Sequence, residues 1–439
     1  MAHRFRHALA LALSVATVLA TAACSIGAPV TRAARTDEIT VWVMQDDFSA
    51  ATIDAINTRF RAQTGAEVHV QTQPWDGIAT KLMTALATSN PPDVIDIGNT
   101  KVLEFARTGA LLDLSAQREE LAHGGTWLDG LEQPMTYDGG LYAAPAFGAA
   151  RTVIYNRRMW REAGITTPPT TYDELCGDLD RVQRAHAGDA DFSALYLPGQ
   201  NWFTGLQFLW DAGASPAELR DGQWTATLGS PNGIAGLQAW ASFQNRYSSK
   251  ASRTADTLIP DQAQLLGQQK TSAIIWNASA VTKAVASNPQ LSADDFGAFP
   301  MPSVSGDGQQ PTMMSGSGWA VATRSAAPSL ALAWISIATS PAVERAWIVE
   351  HDGWLPNTRE LTAEYLASGK LSAVQRGFFE AAMHSRSTPN VPGWATIEAD
   401  GSLKELFSKA ALDPSKAQDI ADAFDERTDA VLSEAQEEL

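Results

Sequence analysis

From Ile39 onward the hydrophobic positions switch between a period of two and a helical period, and the switches outline a repeated strand and helix order. Ile39-Thr40-Val41-Trp42-Val43-Met44 is β-branched and apolar, with acidic residues before it and Gln45-Asp46-Asp47 after it, which predicts a buried strand. Ser49 is placed to cap a helix that carries Ile53, Ile56 and Phe60 at helical spacing and stops at Gly65. Val68-His69-Val70-Gln71-Thr72 alternates as a second strand, and a helix from about Trp75 puts Ile78, Leu82, Met83 and Leu86 on one face. Pro91-Pro92 breaks that helix, and Asp93-Val94-Ile95-Asp96-Ile97 gives a third strand. The order predicts an α/β fold with a parallel sheet and right-handed crossovers.

Open parallel sheets bind ligands beyond the carboxyl ends of their strands. This singles out the loops 45–48, 73–76 and 98–101, which carry Asp46, Asp47, Trp75, Asp76, Asn99 and Lys101. After Gly148 the chain changes register. Thr152-Val153-Ile154-Tyr155 predicts a strand leading into Asn156 and a helix, and helical periodicity then dominates over 202–210, 232–243 and 260–269. A further strand is expected at 271–276, an extended crossover at 297–302, a Gly/Ser/Gln-rich loop at 303–310, and mostly amphipathic helix from Ser329.

The first 23 residues read differently: Arg4 and Arg6, an apolar stretch from Ala8 to Ala20, then Thr21-Ala22-Ala23 before Cys24. That is an export signal, too short in its apolar part to span a bilayer. Residues 24–37 are small and polar with Pro29, a flexible tether. About 400 residues remain, with 45% hydrophobic content overall, more than one core organises, so two domains are expected. Beyond Cys24 there is only Cys176, which leaves no disulfide if Cys24 is consumed and excludes cysteine-type zinc sites. The net charge of −17 repels nucleic acid and anionic lipid. Fourteen Trp against seven Tyr lean toward flat apolar platforms of the kind that cover sugar rings.

Carboxylates and tryptophans in a cleft also describe an exported glycoside hydrolase. Ser315-Gly316-Ser317-Gly318 has the wrong spacing for a nucleophile elbow, no H-E-x-x-H pair occurs, and the seven histidines are scattered, so no catalytic residue, metal site or cofactor is assigned.

Six segments, in order, carry a resemblance: 39–42, Asn90-Pro91-Pro92-Asp93-Val94, 105–114, Asp138-Gly139-Gly140-Leu141-Tyr142-Ala143-Ala144-Pro145, Val153-Ile154-Tyr155-Asn156 and Asp352-Gly353-Trp354-Leu355-Pro356-Asn357. With these the chain resembles the extracellular solute-binding proteins of sugar ABC importers, the maltose-binding-protein family, and in particular actinobacterial oligosaccharide-binding lipoproteins. The resemblance implies a class II periplasmic-binding-protein fold, each lobe a mostly parallel sheet flanked by helices, with the ligand cleft between lobes that close by hinge motion. The lobes would be 38–147 with 304–350 and 148–296 with 351–439, joined by a hinge crossover at 297–303. Cys24 resembles a lipobox cysteine, although Thr21 stands where a branched aliphatic is usual; an ordinary cleaved signal is the alternative.

Carried over by motif, the implied ligand-binding residues are Asp46, Asp47, Trp75, Asn99, Thr100, Arg151, Trp202, Trp276, Asn277, Gly316, Ser317, Trp354 and Trp394, with Trp202 as the stacking aromatic of the second lobe. Two departures stand out. Ala149-Ala150 replaces a frequent acidic residue, and Trp276 comes earlier than the usual Trp near 279. The implied function is a lipid-anchored monomer on the outer face of the membrane, handing a di- or oligosaccharide to two permease subunits with a cytoplasmic ATPase. Alternatives are the same fold binding a polyamine, a sugar phosphate or a metal complex, or a sensor subunit.

Overall fold

The computed structural model describes residues 37–306 and 308–437; the predicted leader, Cys24 and nearly all of the tether lie outside the described residues. The first sheet begins as the periodicity requires, with strand β1 (Glu38–Met44), helix α1 (Ala50–Thr64), strand β2 (Glu67–Gln73), helix α2 (Ile78–Ala87) and strand β3 (Val94–Gly98). Ser49 caps α1 through its side chain, which accepts from the Thr52 N–H, and Gly65 ends it in the left-handed region. Helix α2 starts three residues later than expected, because Gly77 takes a positive φ of 70° at its N-cap and frees Trp75 to the loop.

β1 pairs in parallel with β2 and β3. The sheet is then extended by two strands from far along the chain, in the order β2-β1-β3-β8-β4, where β4 is Ala144–Ala149 and β8 is Ser315–Val321. Both added pairings are antiparallel. The sheet packs on α1 and on helix α6 (Pro328–Ala338), where the indole Nε1 of Trp334 donates to Asn57 Oδ1 at 2.8 Å and so satisfies a polar side chain buried in α1.

The second sheet has three strands, β5 (Thr152–Asn156), β6 (Ala273–Trp276) and β7 (Phe296–Phe299), with β5 in the middle and antiparallel to both neighbours. The two-lobed α/β class stands, but the expectation of mostly parallel sheets is corrected. The first sheet is mixed and the second antiparallel. Apolar strands buried on both faces look alike whichever way they run. Both faces of β5 are indeed covered: Val153 and Tyr155 join one core and Ile154 another. The first of these cores is built on helices α3 (Tyr172–Ala185), α4 (Trp202–Asp211), α5 (Pro231–Tyr247), α8 (Ser402–Leu412) and α9 (Ala417–Glu437). A third core, centred on Trp319, Trp334 and Phe60, belongs to the first sheet. Between β4 and β5 the chain passes from one sheet to the other within two residues, Ala150 and Arg151.

Candidate functional site

A cavity of about 540 Å³ opens where the carboxyl ends of β1 and β3 face β8, α4 and a short helix α7 (Trp394–Ala399). Ten of the thirteen candidates line it: Asp47, Trp75, Asn99, Thr100, Arg151, Trp202, Asn277, Gly316, Ser317 and Trp354. Three do not. Asp46 sits at φ 69° in the turn after β1, a conformation that Asp tolerates, and is exposed while its neighbour Asp47 is buried. Trp276 is half-buried beside Arg151, whose guanidinium carbon lies 5.9 Å from its ring. Trp394 is buried, and its Nε1 donates to Glu398 Oε1 at 2.9 Å, so it supports a lining residue from behind.

Asp47 is held from three sides. Ser317 Oγ donates to its Oδ2 at 2.7 Å, the indole Nε1 of Trp354 donates to its backbone carbonyl at 2.7 Å, and its own N–H reaches Met44 O at 3.3 Å. Burial pushes its carboxyl up to about 6; Ser317 and Trp75 pull the other way, and the charge of Asp46 adds to the rise. Behind it on β3, Asp96 accepts from the Met44 N–H at 2.9 Å and is almost fully buried, so burial first and the Asp47 charge second raise its carboxyl far above the usual range.

The aromatic walls are stacked in pairs. Phe147 lies 4.5 Å from Trp354, nearly parallel, and Phe48 lies 4.8 Å from Trp319 beneath them. Trp75, 45% exposed, lies over Gly98 and donates from Nε1 to Gln45 O at 3.1 Å. Trp202 opens α4 behind the Asn201 cap, and its ring is 4.0 Å from Phe203. Asn99 spends its amide on Met314 O at 3.1 Å, and Asn277 accepts from Ser279 at the start of the next helix.

Arg151 is buried as well. Its Nη1 donates to Ser315 Oγ at 3.1 Å and its guanidinium lies 4.0 Å over the Phe203 ring, while burial pulls its pKa down to about 10. Ser315 and Ser317, alternate residues of β8, thus anchor the Arg151 guanidinium and the Asp47 carboxylate separately.

The sequence pattern does not single out Phe147, Phe203, Ser315 or Glu398, all of which line the cavity. Phe203 and Ser315 each carried a signal, as neighbours in the chain of Trp202 and Gly316. Glu398 carried none beyond Trp394. Among the described residues no group of three His, Cys, Asp or Glu is placed to hold a metal ion, and no helix is long and apolar enough to cross a membrane.

The profile of the bacterial extracellular solute-binding proteins matches residues 45–345. The chain is 32% identical over 391 residues to the diacetylchitobiose binding protein DasA of Streptomyces coelicolor, covering 88% of this chain and 87% of that one. Its fold is similar to that of the sugar-binding protein MalE from Xanthomonas citri, with a TM-score of 0.77, 20% identity, and coverage of 91% and 98%. It is similar also to the cyclic α-maltosyl-1,6-maltose binding protein of Arthrobacter globiformis, with a TM-score of 0.74, 21% identity, and coverage of 91% and 100%.

Proposed function

Because the chain belongs to the bacterial extracellular solute-binding proteins, we propose that it is the receptor of an ABC importer and that its cargo is a di- or oligosaccharide. The observation that carries this reading is the lining of the cavity. Aromatic faces at Trp75, Phe147, Trp202 and Trp354 suit the C–H faces of sugar rings, and Asp47, Asn99 and Arg151 supply groups that pair with hydroxyls. The similarity to a diacetylchitobiose binding protein supports a saccharide. A buried guanidinium argues against a polyamine.

The reading includes a division into lobes 38–147 with 304–350 and 148–296 with 351–439, with 297–303 as hinge crossover, so that closure desolvates the ligand's hydrogen bonds. The core of the first sheet and the largest core of the second are separate, which supports it, while a further core joins Leu131 and Met314 to Ile154 and Ile274 across the division. It also includes binding without chemistry, a monomer that passes its cargo to two permease subunits driven by a cytoplasmic ATPase, and attachment to the outer face of the membrane through lipidated Cys24. Cys24→Ser is expected to move the protein from the membrane fraction to the medium, and unchanged fractionation would reject the anchor.

The central test is a thermal-shift and calorimetric screen of the purified protein against neutral and acidic saccharides, polyamines and amino acids. A ligand at a hundred times its Kd stabilises the native state by about 2.7 kcal/mol, a visible shift in Tm. Response to saccharides, recovered intact after incubation, is the expected result; response to polyamines or amino acids alone would overturn it.

A further inference from the structure

Arg151 is 7% exposed, yet it lines the cavity and has no carboxylate within 4 Å among the described residues. Its position is set by the chain. It is one of the two residues between β4 and β5, and its backbone N–H and C=O are both tied to Thr312 Oγ1, at 3.2 and 2.9 Å. The side chain therefore enters the site from a clamped backbone.

Only one corner of the guanidinium is spoken for, by Ser315 at Nη1. Nε is buried without a partner, whereas Nη2 has no hydrogen bond to the described residues and is not closed off in that way. Nε and Nη2 are the two donors of one edge of the fork, the edge that receives a carboxylate or phosphate bidentately. The Phe203 face beneath the guanidinium, at 4.0 Å, satisfies its charge in part but accepts neither of those N–H groups. The other cation of the cavity, Lys101, is already 3.5 Å from Glu104 Oε2. Of the cavity's two carboxylates, Asp47 accepts from Ser317 Oγ at Oδ2 and Glu398 accepts from Thr388 and Trp394 at Oε1, and neither pairs with Arg151.

A buried cation with two unpaired donors is costly to the empty protein unless something else completes it. We propose that Arg151 is the specificity-determining residue of the site and that the cargo is an acidic saccharide, whose carboxylate or phosphate docks on the guanidinium at Nη2. The proposal rests on the saccharide reading above and narrows it. The depressed pKa of Arg151 is consistent, since burial without a counter-charge is what lowers it. An anionic ligand group restores that counter-charge on binding.

The test is a calorimetric comparison on the purified wild-type protein of cellobiose, N,N′-diacetylchitobiose, cellobiouronic acid and cellobiose 6′-phosphate. An acidic member binding at least tenfold tighter than its neutral parent is the expected result, and the two acidic arms tell carboxylate from phosphate. Arg151→Gln should then shrink that preference to within about threefold, and Arg151→Lys, which keeps the charge but not the fork, should restore only part of it. Neutral saccharides binding as tightly as the acidic ones would overturn the proposal while leaving the saccharide reading intact. Silence from all four probes, with a response to polyamines or amino acids, would instead overturn the saccharide reading and this proposal with it. The wild-type comparison decides the matter even if the Gln variant does not fold.

Discussion

The Ser317 hydroxyl donates to Asp47 Oδ2 across 2.7 Å, so the acid of the first-strand loop is fixed to the strand that crosses from the far end of the chain. Its carboxyl is pushed up to about 6 from an ordinary 3.8, chiefly by burial. Folding therefore favours the protonated form. The stability this contributes is fully present below about pH 4 and is lost as pH rises through about 6. Asp47→Asn cannot ionise, so its Tm should gain on the wild type as pH goes from about 4 to about 7.5. A difference in Tm that stays constant across that range would show that Asp47 is not the group responsible.

Saccharide binding should run the other way with pH. The ionised carboxylate is the better acceptor for a ligand hydroxyl, and a charge-assisted hydrogen bond is worth about 1.5–3 kcal/mol. Asp47→Ala is accordingly expected to weaken binding by roughly tenfold to a hundredfold. For a neutral saccharide, wild-type affinity should rise between about pH 5 and pH 7, and a flat profile by calorimetry would place the ligand away from this acid.

Trp202 has two roles that can be separated. It belongs to the core of the second sheet and also lines the cavity beside Phe203. Trp202→Ala should cost about 3–5 kcal/mol of stability as a large-to-small core change and weaken saccharide binding more than tenfold. Trp202→Phe should recover most of the Tm while binding stays severalfold weaker. Affinity within about threefold of wild type in the Phe variant would reduce Trp202 to a packing residue.

Much of the first sheet was legible because its elements are local: the Ser49 cap, the 53-56-60 stripe and Gly65 each act within a few residues of where they stand. The gathering of Asp47 and Asn99 followed from strand order, since the ends of β1 and β3 must lie side by side. Strand direction in the second sheet was not legible, because Val153, Ile154 and Tyr155 are apolar on both faces whether their neighbours run up or down. Nor was Glu398, brought in by a short helix whose placement depends on packing with α8 and α9. Asp46 and Asp47 look equivalent in sequence; the left-handed turn at Asp46 is what turns one outward and buries the other.

Gly316 shows how a residue expected to touch ligand is required first by packing. It faces Gly148 in the β8 and β4 pairing, just before the register shift between Ser317 and Gly318. A Cβ there would run into the Phe147 carbonyl oxygen and lie 2.9 Å from Leu131 Cδ2. The oxygen belongs to backbone and cannot swing away as a flexible side chain does, so the strands themselves must part. Overpacking of this kind costs about 1–3 kcal/mol. Parting the strands would also move Ser315 and Ser317, and with them the anchors of Arg151 and Asp47. Gly316→Ala should therefore lower Tm and weaken saccharide binding together, whereas a role limited to ligand contact predicts lost affinity at unchanged Tm. Thermal unfolding with and without saccharide tells the two apart.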